Sequence, residues 1–158
     1  MFRDGVERLL VFRVGDERFG VSLGAVREVI DSPDVRRLPD ATASLLGVAT
    51  VRGELVPLYD ARVLLDVETA SVAPGAALIF AIAERRIALA IDDVFDPVLA
   101  EEHELRPMPG VGGGARGAAD AIVCGLIRRD AELIAVLDDT VLFDTILAAA
   151  SGTAGGDL

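Results

Sequence analysis

Apolar and polar positions alternate along most of the chain in short runs, each closed by turn-forming residues. Residues 9–14 and 18–22 flank Gly15-Asp16-Glu17, which is a hairpin pattern. Val26-Arg27-Glu28-Val29-Ile30 is compatible with helix or strand, and its β-branched residues favour a strand. Residues 47–51 and 55–59 flank Arg52-Gly53-Glu54, with Gly53 supplying the positive φ of a short reversal. Two more hairpins are predicted, one from 77–83 and 86–91 turning at Glu84-Arg85, the other from 122–127 and 132–137. Residues 93–98 repeat the pattern of 27–30. The proline-bearing stretch 31–40, the connection 68–75 and the Pro/Gly-rich stretch 101–119 read as loops, and 41–45 as a short helical turn. Asp60 is placed to cap a short helix through Leu65. Asp138-Asp139 cap a longer one through about Ala149, with Val141, Leu142, Ile146 and Leu147 on its apolar face. Residues 150–158 read as a polar, mobile tail.

The hairpins repeat. An offset of 68 residues carries Leu10 onto Leu78, Phe12 onto Phe80, Arg18 onto Arg86, Val21 onto Leu89 and Val26 onto Val94. An offset of 78 carries Gly47 onto Gly125, Glu54 onto Glu132, Leu55 onto Leu133, Asp60 onto Asp138 and Leu64 onto Leu142. The chain is therefore one unit used twice, approximately 8–66 and 76–149, within a single domain. A lone hairpin is marginal in water, and about five short strands can close into a small barrel without exposed edges. The fold expected is all-β: two small five-stranded SH3-like barrels packed on an aliphatic seam, with a C-terminal α-helix. A single eight-to-ten-stranded sandwich is the alternative. The Arg52-Gly53 tip falls on Asp130-Ala131 and so occurs in one copy only, which marks it as a site rather than a folding requirement.

Composition narrows the function. A net charge of −11 argues against sequence-independent nucleic-acid binding and against docking on an anionic membrane. Aromatic residues are only 4% of the chain, so aliphatic side chains must fill the core. Cys124 is the sole cysteine, which rules out an internal disulfide; it reads as a buried, inert thiol. Met1-Phe2-Arg3-Asp4 shows no apolar leader, and residues 141–150, the longest apolar candidate, are too short to span a bilayer. A cytoplasmic protein without direct membrane insertion is expected.

No active site is expected. His103 is the only histidine and lies among glutamates in a loop, short of a metal cluster or triad. Gly112-Gly113-Gly114-Ala115-Arg116-Gly117 lacks the Lys-Ser/Thr of a phosphate-binding loop and reads as a linker. The pairs Asp92-Asp93, Glu101-Glu102 and Asp138-Asp139 are adjacent in sequence, and neighbours on a strand point to opposite faces. No catalytic residue, cofactor or metal is assigned.

The order Phe19-Gly-Val-Ser, Val26-Arg-Glu28-Val-Ile, then Gly47-Val-Ala-Thr-Val-Arg52-Gly53-Glu-Leu-Val-Pro57-Leu-Tyr-Asp60 resembles the CheW-like coupling proteins of bacterial chemotaxis. Ile91-Asp-Asp-Val94-Phe-Asp and Leu105-Arg-Pro-Met-Pro109 extend the resemblance over roughly 9–147. Thr50-Val51 stands where the family usually has Asn-Leu. The resemblance implies a non-catalytic adaptor with two protein partners: the helical cytoplasmic tip of a chemoreceptor and the regulatory domain of a histidine kinase. Recruitment to membrane-associated receptor arrays follows. It also implies a partner-binding groove carrying Val26, Glu28, Gly47, Arg52 and Gly53. A coupler for pilus motility or another non-flagellar pathway is the alternative, followed by a small-molecule-binding barrel.

Overall fold

The computed structural model describes residues 2, 4–39, 44–68, 74–107 and 121–155. The Gly-rich stretch 112–117, most of the connection 68–75 and most of the expected turn at 41–45 lie outside them. The chain opens with a hairpin, β1 (Val6–Val14) and β2 (Glu17–Ser22), followed by β3 (Val26–Asp31) and β4 (Asp34–Arg37). A second hairpin, β5 (Leu45–Val51) and β6 (Glu54–Asp60), leads into α1 (Ala61–Leu64). The third is β7 (Ala76–Ile82) and β8 (Arg85–Ile91), followed by the short β9 (Asp93–Val94) and β10 (Val98–Glu101). The last, β11 (Val123–Arg129) and β12 (Glu132–Leu137), ends in α2 (Asp139–Gly155).

The strands form two six-stranded sheets, the two small barrels of an all-β fold with a C-terminal helix. One has the order β10-β1-β2-β12-β11, with β9 also on β1; the other runs β3-β7-β8-β6-β5-β4. Each sheet thus combines strands from both copies of the repeat. The first hairpin sits with β9 to β12, and the third hairpin sits with β3 to β6. Parallel pairs join them: β2 to β12 through Gly20 opposite Val136, and β8 to β6 through Ala88 opposite Leu58. These two contacts map onto each other under the sequence offsets, as do Val26 opposite Phe80 and Val94 opposite Phe12. Parallel neighbours need a long crossover, and the exchange of hairpins supplies one for each barrel.

Burial explains why β1, β2, β7 and β8 are more continuously apolar than a half-exposed strand. On β1, Leu9 and Val11 fill one barrel with Ala100, Ile127, Ile134 and Val136. The alternate residues Leu10, Phe12 and Val14 enter the seam. On β7, Ala77 and Ile79 fill the other barrel with Ala49, Val56, Leu58 and Ala88, while Leu78 and Phe80 enter the same seam. The Phe12 and Phe19 rings stack at 5.8 Å, and Phe143 meets Phe80 edge-on at 5.2 Å. From α2, Leu142 and Ile146 are fully buried against this seam, with Val141 and Leu147 at its margin.

Both helix caps form as the sequence predicts. Asp60 Oδ1 accepts from the Arg62 amide at 2.9 Å, and Asp138 Oδ1 from the Val141 amide at 3.2 Å. Three expectations need correction. Residues 34–37 are strand rather than loop, because Val35 finds a partner in Ala49 between the flanking prolines. The third hairpin turns one residue early, at Ala83-Glu84, since both adopt positive φ (50° and 65°) and leave Ile82 paired with Arg85. α2 runs to Gly155, through residues whose composition reads as tail.

Candidate functional site

The β5–β6 turn is a two-residue reversal closed by Val51 opposite Glu54. Arg52 (φ 51°) and Gly53 (φ 80°) are both left-handed, as the right-handed twist of the flanking strands requires. A Cβ on Gly53 would meet nothing within 4 Å, so glycine serves the backbone there and not the packing. The turn holds the Arg52 side chain out at 74% exposure.

Opposite it lies β3. A bulge at Arg27 sets Val26 against Phe80, on the seam side, and Glu28 against Ile79, on the barrel side, and both are half-buried. Glu28 accepts from Arg52 Nε at 3.3 Å and from its Nη2 at 3.2 Å. Arg86, on β8, donates Nη2 to the same carboxylate at 3.0 Å and Nη1 to Glu54 at 3.0 Å. The result is a chain of alternating charge, Arg52–Glu28–Arg86–Glu54, drawn from β3, β8 and the β5–β6 hairpin. The Arg52 hydrogen bond is the main reason that the Glu28 carboxyl is held below its ordinary pKa, with Arg86 adding to it. Reciprocally, Glu28 raises Arg52.

Of the five residues expected at the site, the structure brings Glu28, Arg52 and Gly53 together. Val26 is two residues along β3 and packs against the seam at its margin. Gly47 lies four residues down β5 from Val51, about 14 Å away at strand spacing. A Cβ there would come within 2.2 Å of the Arg36 carbonyl oxygen, so glycine is what lets β4 approach β5. Gly125, its counterpart in the repeat, likewise faces the Arg106 carbonyl, at 2.7 Å. Both sit beside a bulge, which gives Gly47 a structural duty common to the two units.

Arg86 and Glu54 belong to the site and were not expected there. A signal existed. Both charges have counterparts under the repeat, Arg18 for Arg86 and Glu132 for Glu54, and those two also pair, in the other barrel, at 3.3 Å. Opposite charges retained at matching positions of a repeat point to a contact.

Other clusters have local explanations. His103 is exposed on a short 3-10 turn, with Nε2 3.7 Å from Glu101. It borders an open cleft of about 670 Å³ lined by Glu104, Arg106, Leu126 and Leu133. Asp92 accepts from the Gly15 amide at 2.6 Å and borders only a water-sized void beside Asp60 and Arg62. Glu101 and Asp138 are spent on caps. Cys124 corrects an expectation: it is exposed, because the bulge between Val123 and Gly125 leaves it without an opposite residue on β12. Its thiol is still pushed up, chiefly by desolvation. Among the described residues no group of His, Cys, Asp and Glu could hold a metal ion, and no helix is long and apolar enough to cross a membrane. The cluster that remains is an exposed guanidinium paired with a half-buried carboxylate.

Comparison with known proteins places the family. Residues 8–146 match the CheW-like domain. The chain is 31% identical to the chemotaxis protein CheW of Rhizobium meliloti over 109 residues, 68% of this chain and 70% of that one. It is 22% identical to the chemotaxis protein CheW of Treponema pallidum over 143 residues, covering 87% and 82%. Its fold matches the crystal structure of the scaffolding protein TtCheW from Thermoanaerobacter tengcongensis with a TM-score of 0.69, at 20% identity over 84% of this chain and 88% of that one. With its interleaved barrels, its charged hairpin tip and a match running from the first strand into the last helix, the chain belongs to the CheW-like family of chemotaxis scaffold proteins.

Proposed function

We propose that this protein is a non-catalytic coupler that joins the helical cytoplasmic tip of a chemoreceptor to the regulatory domain of a histidine kinase, and so becomes part of a membrane-associated receptor array. The receptor-facing surface is the Glu28–Arg52 patch, with Val26 contributing apolar area beside it. The observation that supports this reading is the display of Arg52: a left-handed turn holds the guanidinium out, and Glu28 orients it. Charges placed this way set register and choose partners more than they add affinity. Gly53 acts through the turn and Gly47 through the β4–β5 approach, so both support the surface from behind.

The test is co-sedimentation of receptor-containing membranes with kinase and this protein. Arg52→Glu is expected to abolish the ternary complex and kinase activation while the variant stays folded. An intact complex would show that the receptor docks elsewhere.

A further inference from the structure

Glu28 has two arginines, and they are not equivalent. Arg86 is 34% exposed and reaches Glu28 at 3.0 Å, while its other arm is tied to Glu54 at 3.0 Å. Arg52 is 74% exposed, and its contacts with Glu28 are longer, at 3.2 to 3.3 Å. The repeat separates their duties further. The Arg86–Glu54 pair has a counterpart in Arg18–Glu132, which makes it part of the scaffold. In that other barrel Arg18 lies over the Phe95 ring, 4.1 Å from its centroid, and the Arg52 position is held by Asp130. The Glu28 position is matched there by another carboxylate, Asp96, so only the barrel of β3 to β8 adds a second, exposed arginine to the frame.

We propose that Arg86 is the standing counter-ion of Glu28, and that Arg52 is the exchangeable one, released to a carboxylate on the docking partner. A half-buried carboxylate left without a cation carries a desolvation cost, which would oppose any partner that took its only arginine. With Arg86 in place, Glu28 stays paired when Arg52 leaves. Arg86 is thus a positioning residue: it sets how firmly Arg52 is held and need not touch the partner. The exchange deepens the coupling role proposed above; that role supplies the partner's identity, whereas the competition between the two arginines is a property of the free protein.

The competition is measured on the free, full-length protein by the rate at which phenylglyoxal modifies Arg52, followed by peptide mass spectrometry with exposed Arg37 as internal reference. In Arg86→Gln all of Glu28 falls to Arg52, and modification slows about threefold, the scale of an exposed ion pair. In Glu54→Gln, Arg86 turns wholly to Glu28, and Arg52 is modified faster. Arg86→Lys falls between wild type and Arg86→Gln. If Arg86 merely props Glu28 toward Arg52, both signs reverse, and that result, or an unchanged rate, overturns the proposal. The Glu54→Gln arm decides alone if Arg86→Gln does not fold. In the receptor co-sedimentation assay, Arg86→Gln weakens capture severalfold with Arg52 intact. Failure of wild type to bind receptor sinks the coupling role and leaves the modification result standing.

Discussion

Arg52 and Glu28 are 24 residues apart in sequence and meet at 3.2 Å because a left-handed hairpin tip and a bulged strand converge on one face. The charge pair is therefore a product of two local backbone irregularities, and its properties can be tested separately from those of the fold.

Glu28 titrates below an ordinary carboxyl, and the hydrogen bond from Arg52 is the largest cause. Because the folded pKa is depressed, the pair's contribution is present above the unfolded value, about 4.3, and is lost as pH falls through the folded value. Carboxyl NMR titration should show the Glu28 pKa rising in Arg52→Ala, and rising less in Arg86→Ala.

Gly47 and Gly53, both in the β5–β6 hairpin, should respond to alanine to different degrees. Gly47→Ala places a Cβ against the Arg36 carbonyl oxygen and should destabilise by at least about 2 kcal/mol in denaturant melts. Gly53→Ala meets no atom within 4 Å and should cost only about 1 kcal/mol, the strain of a left-handed alanine.

The barrels should unfold together. The seam takes Phe12 from one sheet, Phe80 from the other and Leu142 from α2, all fully buried. Phe12→Ala and Phe80→Ala, equivalent under the repeat, should each cost about 3–5 kcal/mol. Each should move a single transition, coincident by circular dichroism and Tyr59 fluorescence. Two separated transitions would mean that the seam does not couple the barrels.

Cys124 is exposed yet has a raised pKa. A disulfide reagent should modify it in the native protein, more slowly at neutral pH than a free thiol and faster as the pH rises, since the thiolate is the nucleophile. Complete protection until unfolding would contradict the exposed placement.

Much of this molecule is local. The alternation in 9–14 and 77–82 foretold strands because a pleated chain sends neighbours to opposite faces. Asp60 and Asp138 foretold helix starts because a carboxylate satisfies the free amides of a first turn. Gly53 foretold a reversal, and its φ of 80° is that of the turn. The stretch 34–37 was unreadable for the same reason: its signal is Pro33 and Pro39, while its strand character comes from Ala49 on β5. Arg52 and Glu28 could be named from a resemblance; Arg86, 58 residues from Glu28, could not.

The sequence by itself determined the four hairpins, the caps, the repeat and the aliphatic character of the core, since each depends on composition or on the spacing of neighbours along one chain. Only the tertiary structure decided which hairpins share a barrel. β6 and β12 carry matching apolar patterns, so β2 could satisfy its pleat against either, and burial is non-directional. The chain places β2 beside β12 and β8 beside β6. That exchange sets Arg86 of the third hairpin beside Glu54 of the second and Glu28 of β3. A motif that reads in sequence as a hairpin with an arginine at its tip is, in the folded chain, one arm of a three-element charge relay.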